Sequence, residues 1–169
     1  MDDNKLSRNE LLCKFQSFLV DSNFLIIGCN QNEHINFFYD YDLIKNNKKM
    51  KIHANVKKIS NACFPNNNSV LRIQTGPIDV DLLPENTKDE ISILVGYICF
   101  NNVEIIAIWN AFYFIGHQKN RSCYLTIENL SETINEGYLI TNYSNTPVYI
   151  ATKERMDVVI KEFLDDNII

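Results

Sequence analysis

At 169 residues, with 46% hydrophobic and 22% charged side chains, the chain has the size and balance of one globular domain with its own core. A formal net charge of −5 argues against nucleic-acid binding as a property of the whole surface, and no apolar run approaches the roughly 20 residues that span a bilayer. The polar, acidic start carries no secretory signal, and the 5 cysteines are scattered and odd in number, which predicts reduced thiols in a cytoplasmic protein rather than a disulfide framework.

Ser7 and Glu10 have capping-box spacing. Leu11, Leu12, Phe15, Phe18 and Leu19 follow at helical intervals, so an amphipathic helix is predicted over Ser7–Val20. Phe24–Cys29 and Ile35–Tyr39 are apolar bursts around a polar turn and predict a hairpin. The aromatics Phe37, Phe38, Tyr39 and Tyr41 read as core plus rim, with an exposed stacking platform as the other reading. Asp40–Ile44 reads as a turn or a short helix. Met50–Val56 alternates apolar with polar, the signature of a half-buried strand with Lys51, His53 and Asn55 outward. Around it stand Lys45, Lys48, Lys49, Lys51, Lys57 and Lys58 with no acid among them, either a basic face for phosphates or a solvated connector.

Val70–Ile73 predicts a short strand, Gly76-Pro77 a break, and Ile78–Leu83 an alternating segment running into Pro84. Ile91–Phe100 and Val103–Trp109 form the strongest hairpin signal, because the Asn101-Asn102 link suits the positive φ angles of a tight turn. Asn110–Ser122 is a polar loop, and Cys123–Ile127 returns to a strand. Leu130 and Ile134 lie four apart with Gly137 behind them, a short helix closed by glycine. Tyr138–Tyr143 and Val148–Ala151 make a last strand pair. Thr152 is placed to cap a final helix whose stripe is Met156, Val159, Ile160, Phe163 and Leu164. The expected class is α+β: a curved, mostly antiparallel sheet, with closure into a pseudo-barrel left open, flanked by N- and C-terminal helices.

Chemistry concentrates in few places. There is no Cys-x-x-Cys or His-x-x-x-His pair, His34, His53 and His117 are far apart, and the 5 glycines form no phosphate loop, so neither metal nor cofactor is expected. A Cys123–His117 nucleophile pair is weaker than a packing role for the thiol. A divalent-metal nuclease would draw on Asp79, Asp81 and Glu104, but Ile105 and Ile106 stand where the motif needs a lysine. Catalysis in this chain is therefore not the expectation. In the polar loop, Trp109 and Tyr113 would stack on a base, Lys119 and Arg121 would take a phosphate or a guanine edge, and Asn110 and Asn120 would read adenine. The competing reading has Trp109, Phe112 and Phe114 filling one end of the core.

At this loop the chain resembles accessory domains of restriction endonucleases. There an antiparallel hairpin ends in an aromatic-polar pair, then come a His, an Arg-Ser element, an alternating strand, a short helix and a glycine. The matching residues are Trp109-Asn110, His117, Arg121-Ser122, Leu125–Ile127, Glu128–Leu130 and Gly137, with Val148–Leu164 following in the same order. The resemblance implies a DNA-recognition module of a restriction or phage-defence system, reading a sequence or a modified base without cleaving it. Its partners would be double-stranded DNA and a nuclease or ATPase subunit or fused domain. Under it, Lys45, Lys48, Lys49, Lys51, Lys57 and Lys58 contact the DNA backbone, and Trp109, Asn110, His117, Lys119, Asn120 and Arg121 read bases. The alternatives are a protein-interaction or regulatory subunit without nucleic acid, using the Phe37–Tyr41 aromatics or the acidic helix faces, and the metal-dependent nuclease.

Overall fold

The computed structural model describes residues 6–116 and 119–168. Helix α1 (Arg8–Asp21) opens with the predicted capping box: the Ser7 hydroxyl accepts from the Glu10 amide while the Glu10 carboxylate accepts from the Ser7 amide. Strands β1 (Leu25–Gln31), β2 (Tyr39–Lys45) and β3 (Lys48–Lys58) follow, then β4 (Ser60–Asn61) and β5 (Val70–Thr75). A 3-10 turn at Val80–Leu82 precedes β6 (Glu90–Phe100) and β7 (Val103–Asn110); another, Ala111–Phe114, precedes β8 (Arg121–Thr126). The chain ends with α2 (Ile127–Glu136), β9 (Tyr138–Tyr143), β10 (Thr146–Thr152) and α3 (Met156–Asn167).

Seven strands form the main sheet in the order β1-β2-β3-β6-β7-β10-β9, and β4-β5-β8 form a smaller one. Neighbours are antiparallel except β3 and β6, which run parallel. The connection between that parallel pair carries β4 and β5, so the small sheet is built on the crossover itself. Apolar residues on both faces of the main sheet explain why it stays open rather than closing into a pseudo-barrel. Phe15 and Phe18 of α1 and Val159 and Phe163 of α3 pack one face, against Ile52, Ile93, Ile108 and Tyr149. Leu71, Ile73, Cys123, Leu125 and Leu130 cover the other, against Leu94, Ile98, Ala107 and Ile150. Each face is already covered by another layer, as an open α+β sheet requires.

Gly96 marks a close approach of the second layer to the main sheet. A Cβ there would lie 2.7 Å from Ile59 Cγ1 and 3.0 Å from Ile73 Cγ2. Three hairpins, β2–β3, β6–β7 and β9–β10, turn on two residues of positive φ: Asn46-Asn47, Asn101-Asn102 and Ser144-Asn145. Seven of the ten positive-φ non-glycine residues described are asparagine, the side chain that tolerates this conformation best after glycine. Asparagine therefore does conformational work in the turns.

The structure corrects the sequence reading at several elements. Tyr39–Lys45 is a strand rather than a turn or helix, and Ile35–Phe38 lies in the preceding loop. The Val80–Leu82 turn replaces the alternating segment. Thr152 makes no side-chain cap; its hydroxyl donates to the Gly137 carbonyl at 3.1 Å. The predicted glycine stop of α2 is present, with Gly137 at φ 85°.

Candidate nucleic-acid interface

Strand register places the candidate residues. Ile93 of β6 is opposite both Ala54 of β3 and Asn110 of β7, and Ile108 of β7 is opposite Tyr149 of β10. The starts of β3, β6 and β10 and the ends of β2, β7 and β9 therefore share one end of the main sheet. The Asn46-Asn47 and Ser144-Asn145 turns both project there. Three strand spacings, about 14 Å in all, separate β3 from β10. In the small sheet Arg121 is paired with Thr75, whose hydroxyl accepts from Asn55 of β3 at 3.5 Å. Strand β8 thus begins over the lysine-rich strand.

Most lysines of the 45–58 segment, at the end of β2 and along β3, are engaged. Lys45 lies 3.8 Å from Asp157 and over the Phe24 ring, and Lys51 lies 3.6 Å from Asp42. Lys57 sits 4.7 Å from the Phe37 ring centre, which Arg8 also approaches. Burial, and then the Arg8 charge, hold the Lys57 ammonium below its ordinary range. Lys58 is half-buried and has a partner. Lys48 and Lys49 are exposed at the hairpin tip. Acids do face this segment: Asp42 stands across the β2–β3 hairpin from Lys51, and Asp157 reaches Lys45 from α3, remote in sequence.

His53 and Asn55, expected outward, are buried under the second layer. The His53 ring bridges Asp40 (Nδ1 to Oδ1, 2.7 Å) and Glu90 (Nε2 to Oε1, 2.8 Å), tying β2, β3 and β6 together. Asn32 donates to the same Asp40 carboxylate at 3.0 Å. The arrangement spends both ring nitrogens on structure.

The loop after β7 divides into buried and open parts. Trp109 is wholly buried in the second core, so its ring has no face free for a base, which corrects its base-reading assignment. Asn110 accepts from the Phe112 amide at 3.0 Å, donates to Asn167 Oδ1 at 2.7 Å and accepts from Asn86 at 3.3 Å. Its amide is consumed as a cap and as a strut to α3, which likewise corrects its assignment to adenine. Lys119 and Asn120 are exposed beside the start of β8. His117 lies outside the described residues.

Arg121 is half-exposed, and its Nη1 donates to the Tyr113 carbonyl at 3.0 Å rather than to a carboxylate. It borders a groove of about 240 Å3 whose other walls are Tyr113 and Phe114, Ser122 to Tyr124, and Tyr143, Ser144 and Thr146. None of these lining residues is acidic. Tyr124 packs between Phe64 and Tyr143, with ring centres 5.5 and 5.4 Å away. The sequence reading missed Phe64, Tyr124 and Tyr143. For Tyr124 a signal exists, since it alternates with buried Cys123 and Leu125 and so faces away from the core. Tyr143 and Phe64 come from remote hairpins and loops, without a local cue.

The other chemical options do not assemble. Glu104 is bound by Lys14 and Tyr97 and lies 4.0 Å from Lys153 on the helical side. Burial alone would raise its carboxyl, but the hydrogen bonds from Lys14 and Tyr97 and the charges of Lys14 and Lys153 outweigh it and hold the group below the ordinary range. Asp79 and Asp81 are exposed on a segment whose Ile78 and Leu83 pack into the opposite core. The three carboxylates of the nuclease reading are therefore divided by the sheet. Among the described residues no cluster of three or more His, Cys, Asp or Glu is placed to hold a metal. Cys123 is buried, which pushes its thiol up and away from thiolate character. No helix among the described residues is long and apolar enough to cross a membrane.

Fold and surface together define an open-sheet α+β protein with an aromatic, arginine-bearing groove at one sheet end. The profile of the methylase-associated X1 family matches residues 50–159, nearly two thirds of the chain. The chain belongs to that family, whose description associates it with methylases. No curated protein and no solved structure matches it. The matched span contains every wall of the groove but not Lys48 or Lys49.

Proposed function

We propose that this chain is a DNA-recognition accessory module of a methylase-linked restriction or phage-defence system. It reads a sequence or a modified base, and cleavage is left to a nuclease or ATPase subunit or a fused domain. The observation that carries the reading is the acid-free groove of tyrosines bordered by Arg121 on an otherwise anionic protein. A groove of this composition suits a planar, hydrogen-bonding base attached to a phosphodiester. Exposed Lys119 and Asn120 precede Arg121 directly in the chain, and Lys48 and Lys49, at the same sheet end, supply backbone contacts. Trp109 and Asn110 support these groups from within.

The two sets of residues fail differently, because phosphate contacts position a protein while base contacts specify. Replacing Lys48 and Lys49 with alanine weakens binding to every duplex and lowers the salt slope by about 2. Arg121→Ala relaxes discrimination at one position by about 1–3 kcal/mol. Fluorescence anisotropy across a salt series, with plain and methylated duplexes, measures both. Absence of duplex binding at low salt rejects the proposal.

A further inference from the structure

The groove is small for its chemistry. At about 240 Å3 it falls below the ~300–1,000 Å3 of sites for drug-sized ligands, and it accommodates one aromatic heterocycle rather than the edge of a stacked duplex. Its walls are also set in advance. Tyr124 is held in a packed row between Phe64 and Tyr143, at 5.5 and 5.4 Å, so little side-chain freedom is lost when a flat ligand arrives. Arg121 spends one of its N–H groups on the Tyr113 carbonyl at 3.0 Å. That bond fixes the guanidinium and leaves its other donors for an acceptor on the ligand. Ser122, Ser144 and Thr146 add hydroxyls to the lining. Bases inside a duplex present only their groove edges, so a base can lay its ring face against these aromatic side chains only once it has left the stack.

We propose that the groove takes a single base extruded from duplex DNA, stacked against the Tyr124–Tyr143 row and held by Arg121. This rests on the DNA-recognition reading and adds the form in which DNA is read. Extrusion costs a few kcal/mol of unpairing and unstacking, least at a mismatch. A duplex carrying a mismatch or an abasic site opposite the read base therefore binds about tenfold more tightly than the matched duplex. Where the panel sets thymine opposite the read base, as partner or as mismatch, that thymine becomes reactive to permanganate in the complex.

The experiment uses the full chain with a panel of matched, mismatched and abasic-opposed duplexes, measured by anisotropy and by permanganate footprinting. Tyr143→Ala, checked for folding by circular dichroism, binds matched and mismatched duplexes to within about twofold of each other, so the mismatch preference is lost whatever the change in overall affinity. Matched-duplex binding without mismatch preference or thymine exposure overturns the extrusion proposal and leaves the recognition reading standing. Extrusion that survives Tyr143→Ala and Tyr124→Ala unchanged overturns the assignment to this groove. Failure to bind any duplex overturns the recognition reading itself.

Discussion

Polar side chains at the loop after β7 are divided between scaffold and surface by their partners. Asn110 joins the amide of Phe112, the side chain of Asn86 and Asn167 at the end of α3. Asn110→Ala removes a cap and leaves half-buried amides short of partners, at a cost of about 1–3 kcal/mol in urea denaturation. Nothing local in the sequence separates this asparagine from exposed Asn120, because its partner Asn167 is 57 positions away. Glu104 sets a pH dependence. Its folded carboxyl is held below the ordinary range, so its stabilising contribution is present above the unfolded value near 4.3 and is lost as pH falls through the folded one. Thermal melts across the acid range should show Glu104→Gln less stable than the parent near neutrality, with the difference shrinking as pH falls.

Secondary elements were legible where local chemistry decides them. The capping box of α1, the Asn101-Asn102 turn and the glycine stop of α2 involve residues within a few positions of each other, and each appears where the spacing predicts it. Strand β2 was missed although Tyr39, Tyr41 and Leu43 alternate with Asp40 and Asp42; the two acids read as a turn. Their acceptance in a strand depends on His53 and Lys51 of β3 beside them, a tertiary fact. Gly96 poses the same problem in a different form. A glycine inside a strand suggests close backbone approach, but only the packed layers show that Ile59 and Ile73 are what approaches. Gly96→Ala forces the small sheet away from the large one and costs about 1–3 kcal/mol by overpacking. Paired Gly96→Ala and Ile59→Val substitution recovers part of that loss in the same denaturation series.

At the scale of the whole molecule, the α+β class and both flanking helices were legible from periodicity, whereas the site was not. Which lysines remain open depends on acids delivered by β2 and α3, and the tyrosine row is gathered from β8, β9 and the loop after β4. Such convergence is a property of topology, and the parallel β3–β6 crossover that creates the second layer has no signature in either strand alone.

Among the described residues no strand pairs with the outer side of β1, which ends the main sheet, and Leu25 and Ile27 are 60% and 54% exposed there. The register breaks between Ile26 and Gly28, leaving Ile27 as a bulge residue without a partner in β2. An uninterrupted rim of that apolar character would template the addition of like chains, and the kink denies a newcomer a straight run of donors and acceptors. Deleting Ile27 restores a continuous rim, and light scattering should then register more concentration-dependent association than the parent chain gives.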